Sequence, residues 1–311
     1  MTNFKDTLDA LAAHQRMRRH FLQQLTDLST PQLQQLRAVW SSLPDPERIN
    51  LLAILRRQTE GDALLDFDAV YEMAMEDPNS DVRRMAIAAA VDDESQSFMD
   101  RLIDLVATDP DPMVRTAAAD RLETFALDAE VGKLPEEEGR RVEKALLDRV
   151  KSETEDTSVR SAALASLGYF SSAEVRAEIE RALTRSGLKT AALRAIGRSI
   201  DPEWTDTLKE SMGSDDPEIR REAAIAAADY EDTVAGLGDL VDDPDKSVRM
   251  AAIASLGQIG GPEVRDILDY CYESPDPEIR KAAAAAMDEI DAAESPLESI
   301  PPHDDEIEAD E

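Results

Sequence analysis

The sequence contains few cysteines, histidines and aromatic residues, and each shortage excludes or disfavours some classes of protein. A single cysteine, Cys271, excludes an intrachain disulfide. Aromatic residues make up 4% of the chain, and glycine occurs 12 times in 311 residues. This composition favours helices packed through alanine and leucine over a sheet protein. We interpret Cys271 as a small apolar residue buried on a helix.

Patterns that carry catalysis or bind metal are also missing from the sequence. The three histidines, His14, His20 and His303, lie outside the regular part of the chain. No CxxC, GxSxG or P-loop pattern occurs, and adjacent acids such as Asp92-Asp93 are best explained as solvated loops. We therefore predict a protein that is not an enzyme, with no catalytic residue, no metal and no cofactor.

Long apolar runs are absent as well. No stretch approaches the roughly 20 apolar residues that a membrane-spanning helix needs, and the first residues lack the apolar core of a signal peptide. We predict a cytoplasmic protein that has no membrane partner.

Acidic residues dominate the charge, which is −33 at neutral pH. The first 60 residues hold eight basic and six acidic residues, whereas the segment from Asp291 onwards holds nine acidic residues and no basic one. The acidity is typical either of a salt-adapted surface or of a surface that steers basic partners. In both cases binding to a nucleic-acid backbone is disfavoured, because that binding needs clustered Lys and Arg. The predicted partner is a protein or peptide, and a basic one if steering is the reason.

A hydrophobic residue followed by Arg or Lys, and then by an alanine-rich stretch, recurs along the chain. The seven copies are Val82-Arg83, Val114-Arg115, Val159-Arg160, Leu188-Lys189, Ile219-Arg220, Val248-Arg249 and Ile279-Arg280. Most copies are about 30 residues apart, and a steady period of this length indicates a solenoid of repeated helical units.

The residues before each copy predict where its second helix begins. An Asn or Asp stands four positions before the basic residue in every copy except the fourth, where Arg185 takes that place. Such a side chain accepts hydrogen bonds from the first free amides of a helix. A single helix pair cannot bury its own apolar side, but stacked pairs can. The predicted fold is all-α, an α-solenoid of about eight stacked helix pairs.

The stretch from Asp243 to Gly257 is the clearest copy. Its pattern, Asp-Pro followed by Val-Arg, Ala and Leu-Gly, resembles HEAT repeats, particularly the short class first noted in phycobilisome lyases. The resemblance covers residues 62 to 290. It implies an α-solenoid whose second helices line a concave, usually protein-binding face. DNA glycosylases and iron-binding hydroxylases of similar fold need a cationic face or His-Glu dipeptides, and this sequence has neither.

Three segments are predicted: capping helices with a degenerate repeat over 1–60, the repeat solenoid over 61–290, and an acidic disordered tail over 291–311. Residues 3–27 are expected to form one helix. An insertion over 128–139 accounts for the longest spacing, and it is expected to be a loop followed by a long helix that begins near Glu138.

Two sets of residues are candidate sites. Arginine recurs at a fixed distance after an aspartate in several copies of the repeat. This spacing indicates a structural ladder, in which each arginine joins its helix to the turn of its own or the adjacent unit. The ladder residues are Asp77, Arg83, Asp109, Arg115, Arg160, Arg220, Asp243, Arg249 and Arg280. The candidate partner-binding cations are Arg84, Arg221 and Lys281, which follow a repeated basic residue, and Arg16, Arg18 and Arg19, which form a basic cluster. That cluster is either a solvated face or a contact for an acidic partner or for the chain's own tail.

The leading functional hypothesis is a non-catalytic scaffold or adaptor whose concave face holds a protein or peptide. Two alternatives stay open: a subunit of a bilin lyase-like enzyme, and a regulatory module controlled by its acidic tail. The sequence makes no prediction about the oligomeric state.

Overall fold

A computed structural model of the chain describes residues 3–59, 62 and 64–294. Those residues form helices and connecting turns, with no strand among them. The chain divides into two compact units, residues 1–199 and residues 200–311. The boundary between these two units, at residues 199 and 200, was not predicted from the sequence.

The first unit contains twelve α-helices within its described residues. They are α1 (Phe4–Ala12), α2 (Arg19–Leu22), α3 (Thr30–Trp40), α4 (Asp45–Thr59), α5 (Asp68–Ala74), α6 (Ser80–Ala89), α7 (Gln96–Thr108), α8 (Pro112–Glu130), α9 (Glu136–Lys151), α10 (Thr157–Ser166), α11 (Ala173–Leu183) and α12 (Lys189–Ser199). The second helices of successive pairs pack side by side, α4 on α6, α6 on α8, α8 on α10 and α10 on α12.

The second unit repeats the same arrangement three times in its described residues. Its helices are α13 (Thr205–Met212), α14 (Pro217–Ala226), α15 (Val234–Leu240), α16 (Lys246–Ile259), α17 (Pro262–Tyr272) and α18 (Pro277–Glu294). Each pair packs internally, and α14, α16 and α18 pack in sequence. Over both units the helices form eight pairs, from α3–α4 to α17–α18, as the repeat pattern predicted.

Second helices begin where the turn chemistry predicts. The side chain of Asp245 accepts hydrogen bonds from the amides of Ser247 and Val248, and Asn79 does the same for Asp81 and Val82. These bonds satisfy amides that have no partner inside the helix. Cys271 is buried on α17, as expected.

Of three expectations about helix bounds, two were wrong and one was confirmed. Residues 3–27 do not form one helix, because α1 ends at Ala12 and His14 adopts a left-handed φ of 54°. The insertion was expected to be a loop followed by a long helix that begins near Glu138, and this is confirmed: a short loop over 131–135 separates α8, which continues to Glu130, from α9, which begins at Glu136. Helix α18 continues to Glu294, beyond the expected start of the tail at 291. The rest of the tail, 295–311, lies outside the described residues.

Each ladder arginine on a regular second helix donates a hydrogen bond to a carbonyl oxygen six residues earlier, in the turn that precedes its own helix. Nη1 of Arg83 donates to Asp77 O at 2.8 Å, and Arg115 donates to Asp109 O at 2.6 Å. The same bond joins Arg220 to Ser214 O, Arg249 to Asp243 O and Arg280 to Ser274 O. Arg160 departs from the rule, because its Nε donates to Val150 O at 3.1 Å.

Some of these arginines also pair with a carboxylate of the next repeat. Arg83 donates through Nε and Nη2 to both carboxylate oxygens of Asp109, at 2.7 and 2.8 Å. Arg220 forms the same forked pair with Asp243, at 2.7 and 2.9 Å. Arg115 instead pairs with Glu155 at 2.6 Å. One arginine therefore ties its own turn to the turn of its neighbour.

The degenerate N-terminal pair contains an arginine of this kind that sequence reasoning missed. Arg48 of α4 is buried, and its Nη1 donates to Asp77 Oδ2 at 2.7 Å. Trp40 Nε1 donates to the same oxygen, also at 2.7 Å. Because Arg48 follows Asp45 by three positions instead of four, the repeat pattern did not identify it.

Glycine permits close helix contact near the end of two second helices. A Cβ atom on Gly168 would lie 2.4 Å from Ala195 O and 2.7 Å from its Cα, both backbone atoms. A Cβ on Gly257 would lie 2.8 Å from the Cβ of Ala286. These contacts explain why Leu-Gly recurs at this place in the repeat.

Replacement of Gly168 by alanine is expected to destabilise the first unit by about 1–3 kcal/mol, because the backbone of α12 must move away. Gly187→Ala is the matched control, since its Cβ would meet only Thr157 Cγ2 at 3.6 Å. Urea unfolding followed by circular dichroism measures both changes. Equal losses in the two variants would contradict the close-contact explanation.

The Asp109→Ala variant tests the inter-repeat ion pair. Its loss leaves a buried Arg83 charge without its carboxylate, which is expected to cost about 3–5 kcal/mol of unfolding free energy. The double variant Arg83→Met with Asp109→Ala should lose less than the sum of the single losses. Asp148→Ala is the control, because its pair with Lys144 is exposed on both sides, and a change below about 1 kcal/mol is expected. Additive single losses would show that Arg83 and Asp109 do not stabilise each other.

Candidate functional site

Six of the seven second helices that carry a repeated Arg or Lys expose the residues one and five positions after it, whereas in α10 the fifth position, Ala165, is buried. We call these residues the second-helix face of each unit. They are Arg84, Ala88, Thr116, Asp120, Thr190 and Arg194 in the first unit, and Arg221, Ile225, Met250, Ala254, Lys281 and Ala285 in the second. All of them are partly or fully exposed. Side chains at these positions are therefore available to a partner without unfolding the repeats.

In the first unit, a polar cluster adjoins this face. Glu123 of α8 pairs with Arg198 of α12 at 2.6 Å, and the hydroxyl of Tyr169 donates to Glu123 at 3.4 Å. The guanidinium carbon of Arg198 lies 5.9 Å from the centre of the Tyr169 ring. Burial and the Glu123 carboxylate raise the pKa of Tyr169, so its phenol stays protonated. These contacts link three successive repeats, and they leave the buried Nη1 of Arg198 without a hydrogen-bond partner among the described residues.

In the second unit, the face forms an apolar groove between α14 and α16. The residues that line it are Arg221, Ile225, Lys246, Ser247, Met250, Ala251, Ala254, Ser255 and Gln258. Ile225 is 43% exposed, and Met250 is partly exposed. Lys246 forms an ion pair with Glu278. The groove thus offers aliphatic surface with a cation on each helix.

The sequence carries a signal for this groove at one repeated position. The fifth position after the repeated basic residue is small or polar in the other copies, and Ile225 alone places a large apolar side chain there. A large apolar residue at a solvent-facing repeat position is informative, whereas a single exposed alanine is not.

The three candidate partner-binding cations that follow a repeated basic residue lie on three different helices, α6, α14 and α18. Arg84 on α6 pairs with Asp81 at 2.7 Å, and Lys281 is exposed on α18. Arg221 lines the groove, and its Nη2 lies 3.4 Å from Glu222 Oε2. Of the three, only Arg221 lines the groove of the second unit.

The predicted basic cluster lies on the loop between α1 and α2. Arg16 and Arg18 are exposed, and Arg19 pairs with Asp62 at 3.2 Å. These residues do not lie on the second-helix face. Arg16 and Arg19 border a separate groove against α4.

Asp68, the first residue of α5, is partly buried, and the pKa of its carboxyl group is strongly raised. Burial, followed by repulsion from Asp93, Asp66, Glu72 and Asp92, raises the pKa of Asp68 to about 7. Asp93 is buried; its Oδ1 accepts from the amide of Ser95, and its Oδ2 has no hydrogen-bond partner among the described residues. A carboxyl group with this pKa exchanges its proton near neutral pH.

Two further findings concern the described residues as a whole. No helix in residues 3–59 and 64–294 is both long and apolar enough to cross a membrane. Nor does that part of the chain gather three or more His, Cys, Asp or Glu side chains in a geometry suited to a metal ion.

Paired helices, stacked second helices and a repeated turn define the class of protein as an α-solenoid. The family profile described as HEAT repeats matches residues 67–136, 143–229 and 224–288. The chain belongs to the HEAT-repeat family, as the resemblance of its repeats indicated. No curated protein sequence matches it.

Structures of Kap95p share the fold. One is described as Kap95p binding to RanGDP, with 14% identity, a TM-score of 0.53, and coverage of 92% of this chain and 45% of Kap95p. The other is a Kap95:Nup1 complex, with 14% identity, a TM-score of 0.53, and coverage of 94% and 46%. This chain therefore spans less than half the length of Kap95p, and the likeness shows the fold alone.

The raised pKa of Asp68 has a consequence for stability. Because the native state holds this proton more tightly than the unfolded chain, ionisation of Asp68 lowers stability as pH rises from about 3.8 to about 7. Asp68→Asn should therefore raise the unfolding free energy at pH 8 and change it little at pH 4. The exposed control Asp148→Asn should have a small effect at both pH values. A gain of equal size at pH 4 and pH 8 would assign the effect to packing and not to charge.

Proposed function

We propose that the protein is a non-catalytic scaffold that binds another protein through the second-helix face, with the apolar groove between α14 and α16 as the docking site. The exposed aliphatic surface of Ile225 and Met250, beside Arg221, is the observation that carries the proposal. HEAT repeats present extended faces of this kind, and such solenoids typically bind proteins along them.

The groove fits a peptide with an aliphatic side chain more closely than a polar ligand. Ile225, Met250, Ala251 and Ala254 offer apolar surface, and removal of this surface from water supplies the favourable free energy of binding. Arg221 supports orientation, because a guanidinium donates to peptide carbonyl or carboxylate oxygens at the edge of the groove. Small residues along α16 let the backbone of a partner approach the helix closely.

The net charge suggests the overall character of this partner. A chain with a charge of −33 attracts a basic protein and repels a phosphate backbone over distances up to the Debye length, about 8 Å at physiological salt. We therefore infer a basic protein partner and no nucleic acid. A buried, unpaired cysteine is compatible with a reducing compartment, which supports the inference of a cytoplasmic protein.

Affinity capture from the native cell with the wild-type chain and with Ile225→Asp tests this proposal. The wild type should retain a set of proteins, and Ile225→Asp should lose one or more of them. For a purified member of that set, we expect the dissociation constant to rise about tenfold or more, because a carboxylate replaces buried apolar surface. Val131→Asp is the matched control, since Val131 is 56% exposed outside the face.

Two results would contradict the proposal. If wild type, Ile225→Asp and Val131→Asp retain the same proteins, the groove is not the docking site. If the chain retains no protein and instead converts a small molecule, the non-catalytic interpretation is wrong.

A further inference from the structure

The first unit contains a second groove that lies away from the second-helix face. It runs between the loop over residues 13–18 and helix α4. The lining residues used here are Arg16, Met17 and Arg19 from the loop side, and Glu47, Ile54 and Arg57 from α4. The edges of Leu11, Leu22, Leu43 and Leu51 complete its floor.

The loop is held in place by its own contacts. The amides of His14 and Gln15 donate to Leu11 O and Ala10 O, both at 2.9 Å, and His14 adopts a left-handed backbone. The ring of His14 lies 2.8 Å from Glu47 Oε2, which joins the loop to α4. The groove is therefore formed before any ligand arrives, and a ligand need not order the loop.

The cations of this groove are not all occupied within the protein. Arg19 pairs with Asp62 at 3.2 Å, and Glu47 is engaged by His14. Arg16 and Arg57 are exposed, and no carboxylate partner for either is found in residues 3–59, 62 and 64–294. Met17 and Ile54 are partly exposed in the same groove. Two exposed guanidinium groups thus lie around a patch of aliphatic surface.

The charge of this region is opposite to that of the chain. The first 60 residues hold eight basic and six acidic residues, within a chain whose net charge is −33. Since exposed charges are screened within about 8 Å at physiological salt, a ligand in the groove responds to Arg16 and Arg57 more than to distant acids.

We propose that this groove binds an acidic peptide segment of another protein, in which an aliphatic residue lies between carboxylates. The carboxylates pair with Arg16 and Arg57, and the aliphatic side chain packs against Met17 and Ile54. Because the groove is positively charged, an acidic peptide binds more tightly than a basic peptide. Because the groove also contains aliphatic surface, this peptide binds more tightly than a ligand that makes ionic contacts alone. A nucleic acid fits poorly, because its affinity depends on many consecutive phosphate contacts and this groove offers few cations.

This site goes beyond the proposed function, since it lies on the capping helices and selects a partner of opposite charge. Both proposals together describe a scaffold that holds a basic protein on the second unit and an acidic segment on the first. The two proposals are tested separately, so a negative result for one groove does not contradict the proposal for the other.

Fluorescence anisotropy with the full chain tests the proposal. The probe is a short fluorescein-labelled peptide of alternating glutamate and leucine. We expect binding by the wild type and about fivefold or greater weakening by Arg16→Glu and by Arg57→Glu, because each reversal replaces attraction by repulsion. Arg140→Glu makes the same charge change at an exposed site of α9 and should leave binding unchanged. Circular dichroism checks that all variants remain folded.

Two control peptides separate the parts of the argument. Replacement of every glutamate by glutamine should weaken binding through lost ion pairs, and replacement of every leucine by serine should weaken it through lost packing. If the serine peptide binds as tightly as the parent, or if an oligonucleotide displaces the parent equally well, the site is a general anion site and the proposal is wrong.

Three further results would also overturn it. Absence of binding both by the wild type and by a chain without residues 295–311 would exclude an acidic peptide, and equal weakening by Arg140→Glu would assign binding to the overall field. If the peptide binds only after residues 295–311 are removed, the natural occupant is the chain's own acidic tail and not another protein. The Ile225→Asp variant should bind the peptide normally, which distinguishes this site from the groove of the second unit.

Discussion

The bond from a second-helix arginine to the turn before its own helix, extended in several repeats by a pair with a carboxylate of the next repeat, is the interaction on which the regular part of each unit depends. Arg83 donates to Asp77 O in its own turn and to both oxygens of Asp109 in the next turn. Asp109 in turn accepts from the amide of Asp111, which fixes the start of α8. A single buried side chain therefore sets the spacing of two turns and the direction of the following helix. Desolvation of the two charges costs much of what their attraction returns, so the pair contributes more to register than to net stability.

The inter-repeat pair needs an acid in the turn of the next repeat, five or six positions before the next ladder arginine, and Glu155, which pairs with Arg115, stands five positions before Arg160. Asp77, Asp109 and Asp243 stand six positions before the next ladder arginine and accept from Arg48, Arg83 and Arg220. Ser214 and Ser274 stand at the same position in two other repeats and offer only a carbonyl to their own arginine. Repeats of one family thus differ in how firmly they are tied to their neighbours, although their helices pack alike.

Much of this architecture follows from the sequence because a repeat states the same local rule several times. The Asx caps, the second helices and the eight pairs all depend on contacts within a short stretch of chain. The N-terminal region has no repeated copy to compare. The break after Ala12 and the role of Arg48 depend on tertiary contacts, such as the bond from Arg48 to Asp77, 29 positions away. Helical periodicity alone does not reveal contacts of that range.

Of the two candidate docking surfaces, one can be recognised from the sequence and the other only from the fold. Ile225 departs from a repeated position, so a closer comparison of the copies identifies it without coordinates. The groove near Arg16 and Arg57 required the fold, because these residues are 41 positions apart in a region without repeats. Net charge also misleads at this scale, since a total of −33 says nothing about a basic groove on one end of the first unit. In a solenoid each repeat contacts only its neighbours, so surfaces of opposite charge can persist on one chain without neutralising each other. Under the two proposals made above, one scaffold binds a basic protein and an acidic segment at different repeats.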